Sequence, residues 1–362
     1  MSRSLLLLST VFSVSISSVA QGAEIFLDPI FSVQTTYNVQ YGSALAGIAL
    51  PDYGIIPASG PYQMPLMADI YRPQGANLPS QLPAVLLIHE GGFVTGDKSD
   101  NDIVVVATSL ASRGYVVMNM NYRLIPDGIP DEINTLASNL DLLAVYQDQA
   151  FQGLRAQGFA AAINDSKQAT QWLLANADSL DINTDKMLVG GISSGARVAL
   201  ADGLFEMPDQ FAGVISLLGA LDNNESLITS SQNAPAVYSL YMYSGTQDSL
   251  IDPVAAQNLA TATSTAGIPT LFQSVNSEHD ISLLMQPNSE GTSPWDQGME
   301  FIYDQLELGT LVTGSSSVPE ASSLLLLSAP ALGFCLRFTM RRFKSSSSKG
   351  CCSLPGRSGT IS

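Results

Sequence analysis

Cysteine is nearly missing from this sequence, and so are histidine and, through most of the chain, positive charge. The three cysteines, Cys335, Cys351 and Cys352, all lie close to the C-terminal end. The body of the chain therefore has no disulfide, no thiol nucleophile and no cysteine metal site. Its stability has to come from packing a large core, which a domain of this size can do. Basic residues are equally sparse. Between Glu24 and Glu320, eight Lys and Arg stand against all thirty-two Asp and Glu. So acidic a surface excludes binding to a phosphate backbone, and no nucleic-acid partner is expected. Solubility is the plainer use of that charge. With 46% hydrophobic and 13% charged residues, there is ample material for one large α/β domain or two average ones.

The two ends follow other rules. Arg3, an apolar and Ser-rich stretch from Leu5 to Val19, and the small-x-small site Ser18-Val19-Ala20 read as a secretory leader, residues 1–20. Gln21-Gly22-Ala23 is a second cleavage site as late as residue 23, and a buried first strand is the alternative. Near the other end, Gly314 to Ser317 lead into Val318-Pro319-Glu320-Ala321, then Leu324 to Leu336, then Arg337, Arg341, Arg342 and Lys344. This is a spacer, an apolar stretch near the lower limit for spanning a bilayer, and a basic stop. It resembles the PEP-CTERM sorting signal of bacteria that make extracellular polysaccharide, which implies a membrane protease that removes the tail. Ala321 stands where that signal has its second proline, and further residues follow the basic cluster. An ordinary single-span anchor is the alternative. The expected layout is a catalytic body over 24–310, a linker over 311–317, a sorting and transmembrane segment over 318–344, and a basic, Ser-rich tail over 345–362. The chain is expected at the cell surface or in the extracellular matrix, anchored in the membrane if the tail is retained.

Within the body, the texture changes once. Up to about Arg72, apolar and polar residues alternate, and Tyr37–Tyr41 and Leu66–Tyr71 read as antiparallel strands. Beyond it, continuous apolar runs alternate with helical segments: Ala84–Ile88, Tyr115–Met120, Met187–Val189, Val214–Leu218, Val237–Tyr243 and Thr270–Val275. Strands that are apolar on both sides belong to a sheet covered on both faces. Helices are predicted over Ile103–Ser112, Asp165–Ala175 and Pro253–Thr265. The fold class is α/β, a doubly wound, mostly parallel sheet with an antiparallel N-terminal edge. An insertion over about 124–162 is too long for a simple connection. It serves as lid, cap, dimer surface or plain decoration, and the pocket walls are expected from it and from the loop after Leu221.

Three stretches carry residues suited to chemistry. Met187-Leu188-Val189 runs into Gly191-x-Ser193-x-Gly195 and then into a helix, the strand–turn–helix pattern of a nucleophile elbow. A serine nucleophile needs an imidazole to take its proton and return it to the leaving group. The chain has two histidines, His89 and His279. His89 opens His89-Glu90-Gly91-Gly92-Phe93, where backbone amides of a glycine turn after a strand can hold a developing oxyanion. His89 is then a loop support, the donors are Gly91, Gly92 and Ser194, and His279 is left as the base. In folds whose triad runs Ser…Asp…His along the chain, the orienting carboxylate lies between nucleophile and base. Asp248, at a strand end, is well placed. Asp252 competes, although Asp before Pro is an ordinary helix cap. Glu278 and Asp280 read as solvated loop residues.

Together with Asp69-Ile70-Tyr71-Arg72-Pro73, Arg113-Gly114-Tyr115, Asn121-Tyr122-Arg123-Leu124 and Gly245-Thr246-x-Asp248, these motifs occur in family order. They resemble the α/β-hydrolase superfamily, in its carboxylesterase and esterase/lipase branch, which includes feruloyl and acetyl-xylan esterases. The resemblance covers about residues 37 to 306. It implies an ester hydrolase with Ser193, Asp248 and His279 as catalytic residues, Gly191 and Gly195 shaping the elbow, and neither cofactor nor metal. A prolyl-oligopeptidase-like peptidase shares the fold and triad but usually carries an N-terminal propeller, for which there is no room here. A catalytically silent binding protein of a matrix is the third reading. Glu90 replaces a glycine of the family loop. A charge there would oppose the oxyanion, so its side chain is expected to point away, toward a basic or polar partner.

Overall fold

The computed structural model describes residues 23–51, 54–57, 60–130, 154–221 and 239–313. The chain divides into two units, residues 1–316 and 317–362. The second unit, with the stretch expected to be a sorting and transmembrane segment and all three cysteines, lies outside the described residues, as does the expected leader.

The apolar runs become strands whose residues are all buried: β3 (Leu82–Ile88), β4 (Val116–Met120), β6 (Gly213–Leu217) and β7 (Leu240–Gly245). Before them come β1 (Ser32–Ala46) and β2 (Tyr62–Gln74), and between β4 and β6 lies β5 (Ile182–Ile192). The last is β8 (Thr270–Val275), which is only half-buried, as suits an edge. These eight form one sheet in the order β1-β2-β4-β3-β5-β6-β7-β8. The pairs β1–β2 and β2–β4 are antiparallel, and every other pair is parallel. Burial of an aliphatic side chain contributes roughly 1.5–3 kcal/mol, so the central strands hold the largest share of the hydrophobic stabilisation.

Helices cover the sheet: α1 (Asn101–Ser112), α2 (Leu154–Ala175), α3 (Ala177–Leu180), α4 (Ser194–Ala201), α5 (Pro253–Thr265), α6 (Pro294–Gln305) and α7 (Gly309–Thr313). The predicted helix starting at Asp165 starts eleven residues earlier, at Leu154. Asp165 is not an N-terminal acid of that helix. It is buried and takes a bidentate ion pair from Arg123, with Nη2 at 2.8 Å and Nε at 3.1 Å, plus the Arg123 amide at 2.8 Å. Of the insertion, a 3-10 turn at Ile125–Asp127 and the first turns of α2 are described. Residues 131–153 and 222–238, from which pocket walls were expected, lie outside the described residues. No described helix is long and apolar enough to cross a membrane.

The strand order positions the site. After β3 the chain crosses to β4 on one side, and β5 then returns to the other side of β3. The loops leaving the C-terminal ends of β3 and β5 therefore stand side by side at the point where the winding reverses. The first loop carries His89 to Phe93 and the second carries Ser193.

Candidate active site

Ser193 sits between β5 and α4 with φ +52° and ψ −115°, a conformation that costs a non-glycine residue of order 1–3 kcal/mol. Its backbone amide donates to the Leu217 carbonyl at 2.8 Å, which fixes the turn against β6. The turn also requires Gly195. A Cβ there would lie 2.1 Å from the Ile88 carbonyl oxygen and 2.6 Å from that of His89, so the elbow and the β3 loop touch through backbone alone. At Gly91, φ is +118°, and a side chain would run into the Thr95 carbonyl.

His279, in the loop after β8, lies with Nε2 2.8 Å from Ser193 Oγ and Nδ1 2.7 Å from Asp248 Oδ2. Asp248 follows β7 and has a nearly buried carboxylate. Its second oxygen accepts from the amides of Leu250 and Ile251, each at 2.9 Å. Three residues from three different strand ends thus form one hydrogen-bonded chain, Asp248–His279–Ser193. Asp252 does not join it. It caps α5, accepting from the Val254 amide at 2.9 Å ahead of Pro253. Asp280 and Glu278 are exposed, and Asp280 accepts from the Ser282 amide and hydroxyl.

The expected oxyanion donors line the same cavity as Ser193 and His279. The amides of Gly91 and Ser194 donate to nothing among the described residues. Gly92 differs. Its amide donates to the Ser194 hydroxyl at 2.9 Å, so the neighbour of Ser193 occupies one of the three expected donors. The Ser194 hydroxyl also lies 3.3 Å from the Tyr122 hydroxyl, which donates to the His89 carbonyl at 3.2 Å. Tyr122 stacks on the His89 ring, with centroids 4.3 Å apart and planes 14° from parallel. Burial pushes the Tyr122 phenol well up, so it stays protonated. Burial also lowers the His89 pKa, which keeps that imidazole neutral. Its Nδ1 is 2.6 Å from the Glu90 carbonyl oxygen, which can only accept, so Nδ1 carries the proton. Sequence reasoning named Tyr122 in a motif but gave it no task, because the pairing of β3 with β4 is what brings it under the loop.

Glu90 departs from expectation. Among the described residues it reaches no basic or polar side-chain partner. It lines the cavity beside Ser193, its Oε2 is buried without a hydrogen bond, and its own backbone amide is the hydrogen-bonding group it does meet. Burial is the main reason its pKa rises, with the charges of Asp102 and Asp100 adding to the rise and His279 opposing it. The acidic α1 end and the closed loop thus suppress the charge rather than pair it.

The cavity measures about 610 Å³. Phe93, Leu250 and Ile251 form its apolar wall, and Arg155, Arg197 and Asp252 bring charge to it. No group of three or more His, Cys, Asp or Glu among the described residues is disposed to hold a metal ion.

The chain is similar to several known proteins. An AB hydrolase superfamily protein of Schizosaccharomyces pombe is 30% identical over 132 residues, which is 36% of this chain and 29% of that protein. The chain thus spans less than a third of that relative's length. Among solved structures, Thermogutta terrifontis esterase 2 phosphorylated by paraoxon is 14% identical, with a TM-score of 0.47 over 74% of this chain and 95% of that one. A Pyrobaculum calidifontis esterase is 17% identical, with a TM-score of 0.46 over 78% of this chain and 87% of that one. The BD-FAE family model matches residues 68–143 and 149–262, a span that includes Ser193, Asp248, Glu90 and the glycine turn. That is more than half of the chain, and with the strand order above it makes this protein an α/β-hydrolase of the BD-FAE family.

Proposed function

We propose that the protein is an exported serine hydrolase that cleaves carboxylic esters through an acyl-enzyme intermediate. The observation that carries this reading is the continuous chain from Asp248 through His279 to Ser193 Oγ at 2.7 and 2.8 Å. Asp248 accepts from His279 Nδ1–H, which leaves Nε2 as the base facing the serine. Ser193 Oγ attacks the ester carbonyl carbon while its proton passes to His279 Nε2. The carbonyl oxygen becomes an oxyanion, taken by the amides of Gly91 and Ser194, with Gly92 joining once the Ser194 hydroxyl turns away. Losing one such donor typically costs about 3–4 kcal/mol of transition-state stabilisation. His279 returns the proton to the departing alcohol oxygen, leaving an ester on Ser193. Water then attacks that ester with His279 again as base, and the carboxylic acid leaves. No cofactor is needed for any step.

The leader over residues 1–20 and the PEP-CTERM-type segment over 318–344 support export, with a sorting protease as partner and membrane contact before processing. A sugar- or polymer-linked ester of the feruloyl or acetyl type fits that destination. The test is hydrolysis of 4-nitrophenyl esters of increasing acyl length by the wild-type protein and by Ser193→Ala. Loss of at least about 10⁴-fold in kcat is expected, and equal rates overturn the reading. Detection of Cys351 by mass spectrometry in the surface form of the protein would refute removal of the tail.

A further inference from the structure

We propose that the preferred substrates carry a second, ionised carboxylate near the scissile ester, and that Arg155 binds it. This rests on the ester-hydrolase reading above and names its substrate class. Of the eight basic residues between Glu24 and Glu320, five are ion-paired with carboxylates, and Lys186 donates to the Leu306 carbonyl. Arg155 and Arg197 both line the cavity that holds Ser193 and His279, and Arg197 has partners of its own. Arg155 is exposed in the first turn of α2, and no described carboxylate pairs with it. A protein kept soluble by acidic groups gains nothing for solubility from a guanidinium at its catalytic cavity.

Neither acid lining the same cavity, Glu90 or Asp252, is ion-paired with Arg155. Asp252 has its carboxylate engaged at the N-terminus of α5, where the helix dipole favours negative charge. Glu90 is held toward its neutral form by burial. The net negative body repels anions at long range, but at physiological ionic strength that field fades over about 8 Å. Within the cavity the nearest charges decide, and a guanidinium meets a carboxylate through two parallel N–H donors.

Two ester types distinguish where the carboxylate sits. In 4-nitrophenyl hydrogen glutarate it is on the acyl side, with 4-nitrophenyl pentanoate as neutral counterpart. In 4-carboxyphenyl butanoate it is on the alcohol side, with phenyl butanoate as counterpart. For each pair the full-length protein gives an anionic-to-neutral ratio of kcat/KM. Arg155→Gln is expected to lower one of the two ratios by roughly tenfold, mainly through KM, with Arg155→Lys in between. Added salt should erode that ratio in the wild type and not in Arg155→Gln. Two ratios that do not move overturn the proposal. If the ester-hydrolase reading itself fails, all four esters turn over no faster with the wild type than with Ser193→Ala. Calorimetric binding of the two anionic esters to Ser193→Ala then decides. Weakening of roughly tenfold on adding Arg155→Gln supports the anion site, and unchanged binding refutes it.

Discussion

Replacing Asp248 by Asn tests the site more sharply than removing the serine. One carboxylate oxygen accepts from the Leu250 and Ile251 amides at 2.9 Å each, and the other accepts from His279 Nδ1 at 2.7 Å. An asparagine of the same shape must keep its carbonyl toward the two amides. Turning it over would oppose N–H to N–H and leave two donors unsatisfied, that of Ile251 buried and that of Leu250 part-buried, at up to about 1–3 kcal/mol each. The NH₂ group then points at His279 and donates to Nδ1, which forces the ring proton onto Nε2. A protonated Nε2 cannot take the proton of Ser193. Reaching the productive tautomer costs the turned amide, roughly 2–6 kcal/mol. The imidazolium also loses its anionic partner. The expected loss in kcat is on the order of 10⁴-fold, about 5.5 kcal/mol. Asp248→Ala separates tautomer from packing. It leaves the Leu250 and Ile251 amides without an acceptor, so it is the less stable variant, yet its imidazole is free to choose either tautomer. The activities should therefore run Ala above Asn, and the melting temperatures Asn above Ala. Steady-state kinetics with a 4-nitrophenyl ester and thermal denaturation measure both. An Asn variant within about tenfold of wild type would refute the tautomer argument.

Two other side chains carry checkable consequences. Glu90→Gln removes a carboxyl whose pKa is raised by burial and by Asp102 and Asp100. Both forms are neutral at low pH. As pH rises through the Glu90 pKa, a carboxylate forms next to the proposed oxyanion donors of the wild type alone. The ratio of variant to wild-type kcat should therefore climb with pH, to on the order of tenfold. A ratio that falls with pH would mean that attraction to His279 outweighs that repulsion. Asp202, just beyond α4, is fully buried and accepts from the Ser166 hydroxyl at 2.5 Å, and burial pushes its pKa well above the carboxylate range. An acid with a raised folded pKa favours the native state below its unfolded pKa, and that advantage is lost as pH rises toward the folded value. Asp202→Asn should therefore match wild type near pH 4 and exceed it by about 1–2 kcal/mol at neutral pH in chemical denaturation.

How much of this was legible in the sequence depends on the range over which each signal acts. The elbow around Ser193 could be read because its cause is local: an apolar strand that stops at small residues where two backbones must touch. The positions of Asp248 and His279 could be read because both follow apolar runs, and those runs become parallel strands whose C-terminal ends lie together. Apolar runs likewise gave six of the eight strands and the two-sided burial of the central ones, and alternation gave β1 and β2. The start of α2 was missed because Asp165 looks like a helix-opening acid, and only the fold reveals that Arg123 claims it inside the core. That miss hid Arg155, which belongs to the eleven unread residues ahead of Asp165. Helix α6 was missed although Ser293 and Asp296 form a capping box around Pro294.

Arg197 shows a signal that was present and unused. It stands four residues after Ser193, one helical turn on, and so faces the cavity that the nucleophile faces. The task of Tyr122 and the surroundings of Glu90 had no such signal. Tyr122 reaches Ser194 because β3 and β4 pair in register from Ala84–Val116 to Ile88–Met120, a relation between distant segments. The lack of a partner for Glu90 is a property of everything packed around it. Charge opposite a polar atom is therefore the part of a site least visible from sequence, while the geometry of the nucleophile is the most visible. The two least legible groups, Arg155 and Glu90, are also the two that distinguish this cavity from a bare serine–histidine–aspartate site. The proposed catalytic type rests on the strand ends, and substrate preference has to be sought in the side chains that the strand ends do not dictate.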